Sequence, residues 1–208
     1  MDVLNIIQLA IILAISIGLH EYAHAYISYK LGDPTPKLQG RLTPNPLKHI
    51  DPIGFIMIFL VNFGRGKPVQ VNPMYYKNPW KGELIVALGG PATNLILAII
   101  GIFIILIYSK ILGLPITSIF QSNIDIINLF WIKFSIVNIA LAIFNLIPIP
   151  PLDGFRIIKF YLKENSQNIE RYGIFLLIFV LFFIGPFISQ ATQFIFNILF
   201  TIFGNIFY

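Results

Sequence analysis

Residues 3–28 read VLNIIQLAIILAISIGLHEYAHAYIS. Between Val3 and Ala14 only Asn5 and Gln8 are strongly polar, and the apolar character continues through Ile15, Ile17, Leu19, Tyr22, Ala25, Tyr26 and Ile27. A run of this length spans a bilayer as a helix. Its last third carries His20-Glu21-Tyr22-Ala23-His24, an H-E-x-x-H pattern. Positions i and i+4 share a helix face, so His20 and His24 present two imidazole nitrogens to one ion. Glu21 then lies beside that ion, where a carboxylate can take the proton of a water attacking a peptide carbonyl. An ionisable side chain in a membrane helix costs at least about 2.5 kcal/mol on insertion scales, so a glutamate between two histidines there needs a partner or a task.

Composition agrees with the membrane reading. Of the 208 residues, 57% are hydrophobic and only 11% charged, with a mean hydropathy of +0.81. These are values of an integral membrane protein, not of a soluble domain. Cysteine is absent, which removes disulfides, thiolate zinc sites and thiol nucleophiles together and leaves the redox compartment open. The net charge of +5 is scattered over loops and span ends, which argues for membrane orientation and against nucleic acid as a partner. The first apolar run lacks a basic leader and carries Asp2; it is expected to remain in the mature protein instead of being cleaved.

Working outward, the chain reads as a single polytopic domain over 1–208, an all-α integral membrane protein of about five spanning helices: 3–28, 84–108, 126–149, 172–188 and 190–207. Gly185-Pro186 is the expected break between the last two. The stretch 53–63 is too short to cross and is expected to be re-entrant or to lie along the membrane. With that topology, twelve Lys and Arg fall on one side, in 29–83 and 153–171, and only Lys110 on the other, while Lys133 sits inside a span. The positive-inside rule then places 29–83, 153–171 and the C-terminus in the cytoplasm and the N-terminus outside. The loop 29–83 is rich in Pro, Gly and Asn, which punctuate short extended pieces. Residues 67–73, Lys-Pro-Val-Gln-Val-Asn-Pro, read as a brief edge strand with proline near each end. A short membrane-associated β or re-entrant region is thus expected between the first two spans.

Two histidines leave a catalytic zinc one protein ligand short, because such a site takes three ligands and keeps one position open. The candidates are His49, Glu83, Asp125 and Asp153. Asp153 ends the stretch Asn145-Leu146-Ile147-Pro148-Ile149-Pro150-Pro151-Leu152-Asp153, followed by Gly154, and the topology brings it to the membrane face that the His20 and His24 end of the first span also reaches. Prolines that interrupt an apolar segment free backbone groups, which membrane depth tolerates only where protein or a water-filled cavity receives them.

H-E-x-x-H in an early span and N-x-x-P-x-x-P-x-D-G in a later one resemble the site-2 protease family of intramembrane zinc metalloproteases. The second motif is complete here in Asn145, Pro148, Pro151, Asp153 and Gly154. The stretches Gly40-Arg41-Leu42-Thr43 through Gly54, and Gly89-Gly90-Pro91-Ala92-Thr93-Asn94, are also similar, so that the resemblance covers about residues 18–160. It implies one Zn2+ held by His20, His24 and Asp153, with Glu21 as catalytic base. The short prokaryotic members, without PDZ or CBS domain, are the type resembled.

Secondary candidates keep two readings each. Gly89, Gly90, Pro91 and Asn94 serve close helix packing or catalysis. Asn145 caps broken backbone, or orients substrate and steadies the oxyanion. His49 is expected to be structural or weakly functional. Val69 and Val71 could pair as an added strand with an unwound substrate. The expected function is hydrolysis of peptide bonds within or next to transmembrane segments of membrane proteins, as in regulated intramembrane proteolysis, by a multi-pass cell-membrane protein whose site faces the cytoplasm. Its partners are the bilayer and transmembrane substrates. The rivals are a metal or proton transporter, whose His and Asp would line a pathway, and an inactive membrane scaffold. Glu21 speaks for the protease.

Overall fold

The structure, a computed structural model, describes residues 3–51, 66–115, 126–162 and 165–207. The expected re-entrant stretch 53–63 and the candidate Asp125 lie outside the described residues. Among these residues the chain is helical, without a strand. Helix α1 is Val3–Lys30. Gly32, at φ 107°, ends it by placing the Asp33 N–H on the Ser28 carbonyl (3.1 Å), since only glycine turns the chain this way without Cβ strain. Helix α2 is the short Thr35–Leu38.

The Asn-Pro pairs of the loop do more than punctuate extended pieces. Asn45, Asn72 and Asn78 each accept a backbone N–H through their side chain and start the helical turns Pro46–Lys48 and Pro73–Tyr75 and the long α3, Pro79–Ile111. Asparagine satisfies an orphan N–H at such a start, and the proline behind it has no N–H to satisfy. The edge strand expected at 67–73 is not formed among the described residues; this part of the chain makes one isolated bridge, Ile50 with Gly66. Prolines at 68 and 73 deny it the ladder donors a strand needs.

Helix α4 is Ile126–Asn145, four residues shorter than the expected span because Pro148, Pro150 and Pro151 cannot continue a helix. Then follow α5, Asp153–Leu162, α6, Asn165–Arg171, and α7, Gly173–Phe179. A π turn, Val180–Ile184, joins α7 to α8, Gly185–Phe207. Gly185-Pro186 therefore does not interrupt the helical run. The wider π turn immediately precedes Pro186, where the proline ring and its missing N–H would disturb a regular α pattern. Four described helical runs are long and apolar enough to cross a membrane: Val3–Lys30, Pro79–Ile111, Ile126–Asn145 and Gly173–Phe207. The last runs from Gly173, against Pro150, to Phe207, whose carbonyl accepts from Lys110 Nζ (2.6 Å). One continuous helical run thus stands where two separate spanning helices were expected.

Helix α3 is central and packs on α1, α4, α5 and α8. Its Ala98, Ile102, Ile105 and Leu106 form the core with Ile132 and Ile139 of α4 and Phe196 and Phe200 of α8. In lipid, such a core is held by close packing more than by water exclusion. Gly101 permits it, because a Cβ there would lie 2.3 Å from Ser135 Oγ of α4. The charge of Lys133 inside α4 is met by Gln8 Oε1 (2.9 Å) and by Asn5, the two polar residues of the first apolar run. Outward-facing Phe175, Phe182, Phe187 and Phe194 are exposed, as lipid contact requires. The chain is a multi-pass membrane protein.

Candidate metal centre and active site

The i, i+4 spacing on α1 does place His20 and His24 side by side, with their rings at 82° to each other. Asp153 reaches them as the first residue of α5. The turn before it folds back tightly, since a Cβ on Gly154 would lie 2.2 Å from the Leu146 carbonyl oxygen. Helix α3 supplies the third wall. A Cβ on Gly90 would stand 2.4 Å from His20 Cε1 and 2.5 Å from both Nε2 atoms, so glycine is what leaves room for an ion.

The donor atoms converge. His20 Nε2 lies 3.0 Å and His24 Nε2 3.2 Å from Asp153 Oδ2, and the two Nε2 atoms are 3.1 Å apart. Donors about 2.0 Å from a tetrahedral zinc are separated by roughly 3.3 Å. His24 Nδ1 is 2.7 Å from the Val86 carbonyl, which only accepts, so Nδ1 carries the proton. His20 Nδ1 is 2.6 Å from Asn94 Oδ1 and donates likewise. With Nδ1 of each ring engaged as a donor, Nε2 is the ring atom that both histidines turn toward each other and toward a carboxylate oxygen. An Nε2 without its proton offers a lone pair, as does the carboxylate oxygen, and the three side chains form a group able to hold one metal ion.

Glu21 is held differently. Its Oε2 accepts the Val69 N–H (3.0 Å). Residues 66–76 lie as a strap along α1. Gly66 abuts Ile17 and Glu21, and the Lys67 N–H bonds the His49 carbonyl (2.7 Å). Farther along, the Asn72 N–H bonds Asp33 Oδ2 (2.7 Å), and the Tyr76 hydroxyl donates to Ser28 Oγ (2.8 Å), whose own proton goes to Asp33. Burial alone would raise the Asp33 carboxyl, but bonds from Thr35, Asn72 and Ser28 outweigh it and hold the group below the usual carboxylate range. Beside the strap a cleft of about 740 Å³ adjoins the site through Val69 and through Leu152, which precedes Asp153. Val71, Trp80 and Phe155 also line it. Arg156 on α5 pairs with Glu83 in the first turns of α3 (2.9 Å), which ties the helix bearing Asp153 to the helix bearing Val86 and Gly90.

The remaining expected residues divide. Asn94 is fully buried and touches His20. Val69 touches Glu21 through its backbone, and Val71 reaches only the cleft. Asn145 bonds back to the Leu141 carbonyl of its own helix (2.9 Å). His49 is buried behind the strap and donates through Nε2 to the Thr43 carbonyl (2.8 Å). Burial lowers its pKa, against the Thr43 bond and with the help of Arg41. Glu83, considered as a ligand, pairs with Arg156 instead. Sequence reasoning missed Asn138, Ser16 and Asp33. Asp33 follows the helix-ending Gly32, a signal that would have marked a capping or turn role at most.

The family model of Peptidase family M50 matches residues 8–185. The Bacillus subtilis (strain 168) protein "Putative zinc metalloprotease YwhC" is 41% identical over 182 residues, covering 86% of this chain and 80% of that protein. A protein of the same description, named Rip2, from Mycolicibacterium smegmatis is 30% identical over 159 residues, 74% of this chain and 56% of its own length. "Zinc metalloprotease MJ0392" of Methanocaldococcus jannaschii is 29% identical over 157 residues, covering 76% of this chain and 35% of that protein. The chain thus spans most of the first relative and about half or less of the other two. No solved structure gives a significant match.

Proposed function

The chain belongs to Peptidase family M50, the site-2 protease family, and from that premise we propose that it hydrolyses peptide bonds within or next to transmembrane segments, with His20, His24 and Asp153 as zinc ligands and Glu21 as the base. Zinc is the cofactor its relatives' names give. The observation that carries the ligand set is the meeting of two Nε2 atoms and one carboxylate oxygen within 3.2 Å of one another. Bound there, zinc supplies the Lewis acidity that polarises a peptide carbonyl and makes water acidic. Glu21 takes a proton from the water that attacks the carbonyl carbon and returns it to the amine as the C–N bond breaks. Positioned general bases contribute roughly 10²- to 10⁴-fold.

The peptide must be extended to be attacked, because a helix hides its carbonyls in internal bonds. The strap favours that form. Among the described residues none bonds the backbone N–H or carbonyl of Gln70, which lies in the cleft wall between Val69 and Val71. An unwound substrate pairing there would run past Glu21. The Val69 N–H, taken by Glu21, is not open for this. The site lies at the cytoplasmic side of the cell membrane in this reading, on the weight of the Lys and Arg asymmetry.

The test is chelation and return of metal. Purified chain in proteoliposomes with a single-span substrate should lose cleavage on treatment with a strong chelator and regain it with about one zinc per chain. Zinc movement into the lumen without any cleavage would instead favour the transporter.

A further inference from the structure

We propose that Asn138, on α4 and out of reach of the metal, decides which ring nitrogen of His20 is free to bind it. The proposal rests on His20 being a ligand. His24 needs no such help: its Nδ1 faces a backbone carbonyl, that of Val86, and a carbonyl cannot turn into a donor. His20 is different, because its Nδ1 faces a side-chain amide, Asn94, which can present either oxygen or nitrogen.

The orientation of that amide is set two bonds farther away. Asn138 Nδ2 lies 2.9 Å from the Phe134 carbonyl and 2.9 Å from Ser16 Oγ. The Phe134 carbonyl only accepts, so the nitrogen of Asn138 must point there and its oxygen must point the other way. That oxygen is 2.9 Å from Asn94 Nδ2. Asn94 must therefore turn its own oxygen to His20, and His20 Nδ1 must carry the proton. Nε2 is left with its lone pair toward Asp153. Ser16, Asn94 and Asn138 are all fully buried, so water does not compete for these bonds. Polarity thus passes from a carbonyl of α4 through two amides, Asn138 on α4 and Asn94 on α3, to a ligand on α1.

Without the Asn138 oxygen the Asn94 amide keeps only its longer bond, 3.5 Å from Nδ2 to the Ser16 carbonyl, and could flip. Its NH2 would then face His20 Nδ1, which would have to accept, and the proton would move to Nε2, where it blocks the metal. Asn138 is a positioning residue in this account. Losing an outer partner of a metal-bound histidine weakens affinity about 10- to 100-fold.

The experiment uses the full chain in detergent. Zinc affinity is measured by competition with a chelator, and the histidine side-chain ¹⁵N spectrum of the zinc-free protein reports each tautomer. Wild type should show the Nδ1–H form at both His20 and His24. Asn138→Leu should bind zinc 10- to 100-fold more weakly and lose the single tautomer at His20 while His24 keeps its own. Adding Asn94→Asp should restore both readouts, because either oxygen of a carboxylate accepts from His20 and no orientation is needed. Asn138→Asp, holding a proton on the oxygen that faces the Phe134 carbonyl and accepting from Asn94 with the other, should behave as wild type; a lost His20 tautomer in this variant would overturn the proposal even if the leucine variant does not fold. Undiminished zinc affinity in Asn138→Leu, an Nε2–H tautomer at wild-type His20, or no restoration by Asn94→Asp would overturn the proposal. A wild type that binds no zinc would instead overturn the ligand assignment itself.

Discussion

Gly90 shows what a single residue does here. A methyl group at this position would stand where the two Nε2 atoms converge. Alanine is the better helix former by about 1 kcal/mol, so Gly90→Ala should keep the helix and lose the site. Circular dichroism is expected to be unchanged and zinc affinity to fall at least 10-fold; zinc binding at wild-type strength would show that α3 does not close the centre. The neighbouring Gly89 meets Ile27 instead, and its alanine variant should bind zinc normally. Helical spacing marked His20, Glu21 and His24 in the sequence, and a broken span together with the family resemblance singled out Asp153 among four candidates; the fold brings His20, His24 and Asp153 together. It could not separate Gly90 from Gly89, since a glycine does not reveal what stands opposite it. Asn138 likewise sits unmarked in an apolar run, and its meaning comes from a carbonyl and a hydroxyl that only the fold brings to it.

Among the elements the strap depends most on one group. Asp33 takes hydrogens from Ser28, Thr35 and Asn72, so it joins the end of α1 to the chain that caps Glu21. Leaving buried donors unsatisfied costs about 1–3 kcal/mol each, and Asp33→Ala should lower stability by about 2–3 kcal/mol, with faster amide exchange at Val69 and Asn72. Unchanged exchange at both amides would contradict this. The pH dependence has a definite sign. Asp33 has a folded pKa below its unfolded value, so its contribution is complete above about pH 4 and is lost as pH falls through the lower folded value. Wild type should therefore lose strap protection in acid below pH 4, a step absent from Asp33→Ala. The short helical turns of this region escaped sequence reading for a related reason. Asn-Pro pairs signal a turn but not whether the chain beyond it is helical, and three residues are too few for a periodicity to be read.

For the whole molecule, the long apolar helices were legible because their length is dictated by the bilayer. The last passage was not. Gly185-Pro186 looks like a break in sequence, yet the π turn ahead of it carries the helix on from Gly173 to Phe207. At 1.5 Å per residue such a rod is about 50 Å long, more than the hydrocarbon core of about 30 Å. Phe207 ends beside Lys110, and Phe203 and Phe207 pack on Phe103 near the same end of α3. The C-terminus should then lie on the side opposite residues 66–83, contrary to the even pairing of two short spans. The absence of cysteine makes single-cysteine labelling clean. A membrane-impermeant maleimide applied to intact cells should label Asn205→Cys and Leu112→Cys and spare Lys77→Cys; labelling of Asn205→Cys only after lysis would restore two crossings.

The central claim is that the meeting of α1, α3 and α5 is a zinc peptidase centre in which Glu21 moves the proton. Glu21→Gln tests it most directly, with zinc content and cleavage of a single-span substrate measured on the same purified sample. The account predicts about one zinc per chain in both proteins and at least a 10²-fold loss of cleavage in the variant. Cleavage at the wild-type rate with glutamine at position 21 would contradict it.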